Sequence, residues 1–287
     1  MTCQMTRILE SNEDLGLARL VAGSGTFHAP NGCPLILMAV AASHYELAKL
    51  LITHNADCDQ EWDGLSPLGL AVEKRDLEMA LALVHLGKAS IDKLNKNKTS
   101  PLLDAVRRDD LEMVWSLFET EHELIFNAHS NCPQTPLSAA CCNDNVEVAR
   151  CLINRDVWVG GLSEGPLCSK PRGSDKGKMG FEFGDMAMES YTPLHVAARV
   201  SSGMTRLLLD AEAAVSSTAV VRCQESDMTV QGVTPLHLAI GPSAEILITD
   251  GRANVFAKDS HGRTPLFWAA GFLVSDRGSE NLQARRT

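Results

Sequence analysis

Gly64-Leu65-Ser66-Pro67-Leu68-Gly69-Leu70-Ala71-Val72, then Asp76-Leu77-Glu78-Met79-Ala80-Leu81-Ala82-Leu83-Val84, closed by His85-Leu86-Gly87, describes two short antiparallel helices with the turns that bound them. Pro67 suits a first helical turn, whose backbone N–H has no intrahelical partner in any case, and Ser66 offers an N-cap oxygen. Gly87 lies where a helix would stop in the left-handed conformation. The same start recurs at Cys33-Pro34-Leu35, Ser100-Pro101-Leu102, Thr135-Pro136-Leu137, Thr192-Pro193-Leu194, Thr234-Pro235-Leu236 and Thr264-Pro265-Leu266. The first four prolines are spaced 33, 34 and 35 residues apart. A fixed period of that size predicts stacked copies of one small helical unit, an all-α solenoid whose function lies on an extended surface. A binding protein is expected, not a catalyst.

Four residues after the proline comes alanine at 71, 105, 140, 197, 239 and 269, with Met38 as the exception. That is one helical turn along the same face, where a small side chain lets neighbouring helices approach. The second helix repeats as Leu77-Glu78-Met79, Leu111-Glu112-Met113 and Val146-Glu147-Val148, and sixteen residues past the proline stands leucine at 50, 83, 117, 152 and 209. These leucines are expected in the core.

Composition fits thin apolar layers: the 287 residues are 45% hydrophobic but only 5% aromatic, with a formal net charge of -10. Length alone suggests about two globular domains, but a repeat array grows by addition. The start of the chain lacks the apolar run of a secretory signal, and no stretch approaches a membrane span. Nine cysteines without a disulfide-like rhythm read as reduced thiols, so a cytoplasmic or nuclear location is expected. An acidic balance argues against nucleic acid, and no membrane insertion is expected.

Thr192-Pro193-Leu194-His195-Val196-Ala197 and Thr234-Pro235-Leu236-His237-Leu238-Ala239 carry every fixed position of Thr-Pro-Leu-His-x-Ala, and on them the chain resembles the ankyrin repeat family. Asp259-Ser260-His261-Gly262 resembles the family's hairpin tip, with Phe267 in place of histidine. Asn55-Ala56-Asp57 and Gly251-Arg252-Ala253-Asn254 resemble its unit ending. About seven to eight units are expected, counting atypical caps: a capping repeat over 1–30, four repeats over 31–158, and two to three over 191–287 with a divergent or truncated last unit. Two spacings break the rhythm, 57 residues from Pro136 to Pro193 and 42 from Pro193 to Pro235. The first holds an insertion over 159–190 whose Gly160-Gly161, Gly165-Pro166, Lys170-Pro171 and Arg172-Gly173-Ser174 are loop chemistry. Gly241-Pro242 is expected to end its unit's first helix early.

The resemblance implies a non-catalytic, monomeric scaffold or adaptor that grips a partner protein on a concave surface of hairpin tips and first-helix ends. The alternatives are a targeting or regulatory module of a larger enzyme, channel or ubiquitin ligase, or an inhibitor of a partner enzyme. Carried over by offset from each proline, the resemblance implicates Trp62, Asp63 and Leu65, with Glu73 and Lys74. In the next unit it implicates Lys96, Asn97 and Thr99, with Arg107 and Arg108. Further along come Asn131, Gln134 and Asn143, then Glu189, Tyr191 and Arg199, then Ser260, His261 and Arg263. Repeat families share the scaffold and differ at these positions, so partner identity does not transfer.

Trp62 is either a binding hot spot or an aromatic tucked against the neighbouring hairpin. Arg107-Arg108 reads first as part of a solvated cluster neutralised by Asp109-Asp110, and second as a grip on an acidic partner. His195 and His237 are expected to hydrogen-bond the loop, as the family uses them. Cys132, Cys141, Cys142 and Cys151 lack the paired spacing of a zinc site, and Cys141 and Cys142 read as packing. Cys168 has no activating base that the sequence reveals. Phosphate-cradling, nucleophile-elbow and zinc-protease motifs are missing, so no catalytic residue, cofactor or metal is assigned.

Overall fold

A computed structural model describes residues 32–96, 99–118, 134–155, 157–164, 186–223 and 229–270. Contacts divide the chain into two compact units, Met1–Cys132 and Pro133–Thr287. The expected N-terminal capping repeat and the segment after Ala270 lie outside the described residues.

The described residues of the first unit form three helical hairpins: α1 (Leu35–Ala41) with α2 (Tyr45–Thr53), α3 (Pro67–Lys74) with α4 (Leu77–His85), and α5 (Pro101–Arg107) with α6 (Leu111–Phe118). First helices pack on first helices, α1 on α3 and α3 on α5, while α2, α4 and α6 form a second row. The alanines at the Pro-plus-four position make this close approach possible, and Ala71 and Ala105 are fully buried. Leu83 and Leu117 fill the seam as expected, whereas Leu50 is only half-buried.

Local sequence explains each helix start. Ser66 Oγ accepts from the Gly69 amide at 3.0 Å and Ser100 Oγ from the Leu103 amide at 3.2 Å, directly before Pro67 and Pro101. Asp76 and Asp110 do the same for α4 and α6, accepting from Met79 and Met113. These are the orphan N–H groups that any helix leaves at its start. Between paired helices a left-handed residue turns the chain, at Ser43, Arg75 and Asp109, and another ends the second helix at Asn55 and Lys88. The expectation for Gly87 is thereby corrected, since Lys88 takes the positive φ. Glycine is needed at 87 for room: a Cβ there would lie 2.4 Å from Cys58 Sγ and 2.7 Å from the Leu83 carbonyl oxygen.

The second unit repeats the plan with α7 (Pro136–Cys142) and α8 (Val146–Ile153), α9 (Pro193–Val200) and α10 (Ser202–Asp210), α11 (Pro235–Leu238) and α12 (Pro242–Thr249), and α13 (Pro265–Ala269). Its first helices pack in the order α7, α9, α11, α13, and α8, α10 and α12 line up behind them. Leu152 is buried and Leu209 half-buried. Helix α11 stops after four residues, as the Gly241-Pro242 pair requires, and Pro242 then opens α12.

Among the described residues four strands join this unit: β1 (Ser163–Glu164), β2 (Met186–Tyr191), β3 (Ala219–Cys223) and β4 (Thr229–Val233), antiparallel in that order. The described residues of the two long intervals thus include strands that pair into one sheet. Within 159–190, residues 159–162 are turn and irregular backbone as expected, while Ser163–Glu164 and the start of Met186–Tyr191 are strands, which corrects the loop reading there. Met188, Val221 and Val230 align across the sheet on its buried face, while Glu189 and Arg222 pair at 2.9 Å on the other.

Candidate partner-binding surface

In the first unit the tip Trp62-Asp63-Gly64-Leu65 is closed by two backbone bonds, Trp62 N–H to the Leu65 carbonyl at 2.9 Å and Leu65 N–H to the Trp62 carbonyl at 3.0 Å. Asp63 at φ 55° and Gly64 at φ 81° give the two consecutive positive angles of a type I′ turn, which is why Asp-Gly stands there. Trp62 is half-buried: it packs, with Leu35 and Leu70, on a cluster of Cys33, Leu37 and Met38. Trp62 is thus tucked against the neighbouring hairpin in part, and part of it remains exposed. Leu65 is 37% exposed and Asp63 is exposed beside it.

Lys74 has a structural task. Its ammonium donates to the carbonyls of Val40 and Ala41 and to Ser43 Oγ, capping the C-terminal end of α1 where the helix dipole favours a cation. Glu73 is exposed on the same turn. In the next hairpin Lys96, Arg107 and Arg108 are exposed, and Thr99 donates to Asp104 at 3.2 Å. Burial pushes the Asp104 carboxyl up, offset by the Thr99 hydrogen bond and by Arg107 and Arg108, with Glu73 adding a further upward push. Asp110 also serves the scaffold: its carboxylate caps α6 and pairs with Arg75 at 3.7 Å. Asn97 and Asn131 lie outside the described residues.

The second unit treats its candidates differently. Gln134 is 7% exposed, 3.5 Å from Cys142 Sγ, and Tyr191 is 1% exposed; this burial removes both from a partner's reach, which corrects their assignment. Asn143 is half-buried. Arg199 is also half-buried, and burial pulls its guanidinium below the ordinary value. Arg263 is committed to the fold: its Nε donates to Asp259 at 2.7 Å and its guanidinium lies 5.4 Å from the Trp268 ring centre. Its Nη2 is buried without a hydrogen-bond partner. Ser260 and His261 remain exposed on the tip, with Ser260 Oγ 3.2 Å from His261 Nδ1.

Both histidines serve the scaffold. Thr192 N–H donates to His195 Nδ1 at 3.2 Å, so that nitrogen is the acceptor and Nε2–H donates to the Val233 carbonyl at 2.9 Å. His237 repeats this between Thr234 and the Arg263 carbonyl. Each imidazole thus ties one unit to the residue just before the next Thr-Pro-Leu. Where the chain writes serine in that slot, Ser138 and Ser163 bridge the gap with hydroxyls 2.7 Å apart. Burial lowers the His195 pKa to about 4. Thiols shift the other way: burial, then Asp59 and Asp57, raise Cys58 to about 11, and burial lifts Cys33, Cys141 and Cys151 as well.

Sequence reasoning missed Leu35 and Leu70, which complete the apolar shelf around Trp62. Their signal was available, since Leu70 stands three residues past its proline, where the next unit has the half-buried Asp104. It also missed Trp158, 60% exposed just after α8. Among the described residues no helix is long and apolar enough to cross a membrane.

The sequence model of a family described as ankyrin repeats (3 copies) matches residues 10–95 and 102–219. No curated protein matches the chain by sequence. Among solved structures, the ankyrin repeat domain of Bcl-3, described as a unique member of the IkappaB protein family, is similar with a TM-score of 0.58 and 20% identity, over 81% of this chain and 92% of that one. The human ASB11 ankyrin repeat domain is similar with a TM-score of 0.51 and 20% identity, over 86% and 96%. At that identity the likeness concerns the fold alone.

Proposed function

This chain belongs to the ankyrin repeat family, and on that premise we propose that it is a non-catalytic scaffold or adaptor holding a partner protein on its hairpin tips and first-helix ends. Ankyrin repeats are in general protein-interaction modules. The observation that carries the reading is the Trp62 tip: a partly exposed tryptophan on a backbone locked by a type I′ turn, with Leu65 beside it. Rigid aromatic anchors of this kind dominate binding energy because they lose little conformational freedom on association. Absence of catalysis is supported by where reactive groups are spent. His195 and His237 are held as neutral hydrogen-bonding links, and the thiols of Cys33, Cys58, Cys141 and Cys151 are pushed away from thiolate formation.

Cross-linking mass spectrometry of the chain with co-purified proteins tests the surface. Links from one partner should concentrate on Lys96 in the tip region and spare Lys49 on α2, which lies in the row of second helices. Links confined to Lys49, with Lys96 unreacted, would defeat the reading.

A further inference from the structure

We infer that the second unit pairs with a second copy of this chain, α13 against α13, through a helix face that every other hairpin keeps covered. The leucine that follows the proline is buried at 68, 102, 137, 194 and 236, yet Leu266 is 77% exposed. Ala197 and Ala198, four and five residues past Pro193, are fully buried, whereas their counterparts Ala269 and Ala270 are exposed. Leu266, Ala269 and Ala270 stand at i, i+3 and i+4, one stripe of the helix, and the two small side chains let another helix come close. First helices pack on one another in the order α7, α9, α11, α13, and at α13 the described row ends with this packing stripe bare.

The side chains beside the stripe suit an apolar cover and not a further unit held as the others are. Asp57 Oδ1 accepts from the Asp59 amide at 2.9 Å and Asn254 Oδ1 from the Phe256 amide at 2.9 Å, so Phe256 holds the place of Asp59. Asp59 links forward past α4: its carboxylate accepts from the Ser90 amide and its carbonyl from Lys93 Nζ, both at 2.8 Å. Phe256 has only a ring to offer there, and it is 78% exposed. Phe267 stands in the slot of His195 and His237, whose Nε2–H groups donate forward to the carbonyls of Val233 and Arg263. A phenyl ring can donate no such bond, and this one is 40% exposed. The sequence that follows carries no second helix of the usual pattern either. Twelve, thirteen and sixteen residues past the proline stand the buried sets Met79-Ala80-Leu83, Met113-Val114-Leu117 and Val148-Ala149-Leu152, but after Pro265 the same offsets read Arg277, Gly278 and Asn281.

Two forward polar links are thus replaced by aromatic rings. A two-fold pair sets each ring against an identical apolar face, which needs no matching set of donors and acceptors. Val255, Phe256, Leu266 and Phe267 together leave on the order of 400 Å² of apolar surface open on each copy, a patch of the size that marks interaction sites. Two copies would cover about 800 Å² of it, short of the about 1,200 Å² at which stable complexes begin before the alanines and the rim are added. The pairing is therefore weak and depends on concentration.

Sedimentation velocity on the full chain, from about 1 to 200 μM, is the test. The parent should move from one chain toward two across that range. Leu266→Glu and Phe256→Glu should each weaken pairing about tenfold or more, because a carboxylate would be buried against an apolar face. Both sites are exposed, so an unchanged melting curve confirms that the fold is kept, and Leu266→Met should pair as the parent does. A parent that stays a single chain at every concentration overturns the inference, whether α13 remains open or residues 271–287 cover it. Pairing that survives both glutamates overturns it as well. Neither result bears on partner binding at the Trp62 tip, which belongs to the other unit.

Discussion

Acid should loosen the second unit through His195, and the size of the effect follows from its bonds. The imidazole is fully buried, accepts at Nδ1 from Thr192 and donates from Nε2 to Val233. A second ring proton would set a donor against the Thr192 N–H. Its folded pKa is about 4, against 6.5 for the free side chain; burial is the largest cause, His237 adds to it, and hydrogen bonds to the Val233 and Ser217 carbonyls oppose it. Because the folded value is depressed, the stabilising contribution is fully present above the unfolded pKa and is lost as pH falls from 6.5 toward 4. At ~1.4 kcal/mol per tenfold change, the complete loss is about 3.5 kcal/mol, of which about 2.5 kcal/mol is gone by pH ~4.5. Urea unfolding followed by circular dichroism at pH 7 and 4.5 compares the parent with His195→Gln, a residue that can accept and donate but does not titrate. The variant should start about 1–2 kcal/mol less stable and show a pH loss smaller by about 2.5 kcal/mol. Hydrogen exchange at the Thr192 amide assigns the effect to this unit if the array unfolds in steps. An identical pH loss in parent and variant would refute the argument.

Three further perturbations probe the scaffold. Leu117→Ala removes a fully buried side chain of α6 and should cost about 2–5 kcal/mol in denaturant unfolding. Gly87→Ala places a methyl against Cys58 Sγ and the Leu83 carbonyl, so a loss of about 1–3 kcal/mol is expected, and a melting temperature equal to the parent's would show that the helix end yields freely. Asp259→Asn strips charge from a carboxylate that accepts from the amides of His261 and Arg263, from Arg263 Nε and from the Trp268 indole. It leaves the buried guanidinium without its counter-charge, and a loss of about 3–5 kcal/mol should appear as early release of the last described hairpin in hydrogen exchange.

The helices and their order were legible because their causes are local. Ser66-Pro67 and Ser100-Pro101 carry both the cap oxygen and the preset φ that start a helix, Gly241-Pro242 carries the stop, and alanine one turn on marks the face that must pack. The strands were not legible. Met186–Tyr191 has no strong alternation of its own, and it is held by β3, which lies far downstream, so nothing within the segment announces it.

For the candidate surface the division is similar. Offset from proline correctly put Trp62, Asp63 and Leu65 on a tip, because turn geometry is written in Asp63-Gly64 itself. It put Tyr191, Gln134, Lys74 and Arg263 in the same class, and packing took each of them away. Tyr191 and Gln134 are buried, Lys74 caps the helix before it, and Arg263 pairs with Asp259 beneath Trp268. Sequence thus determined by itself that the chain repeats, where each hairpin begins and which side chains line the seam, since those depend on neighbours a few residues away. Which equivalent positions remain open to a partner only the tertiary structure decided, because that depends on what the adjacent hairpin places against them.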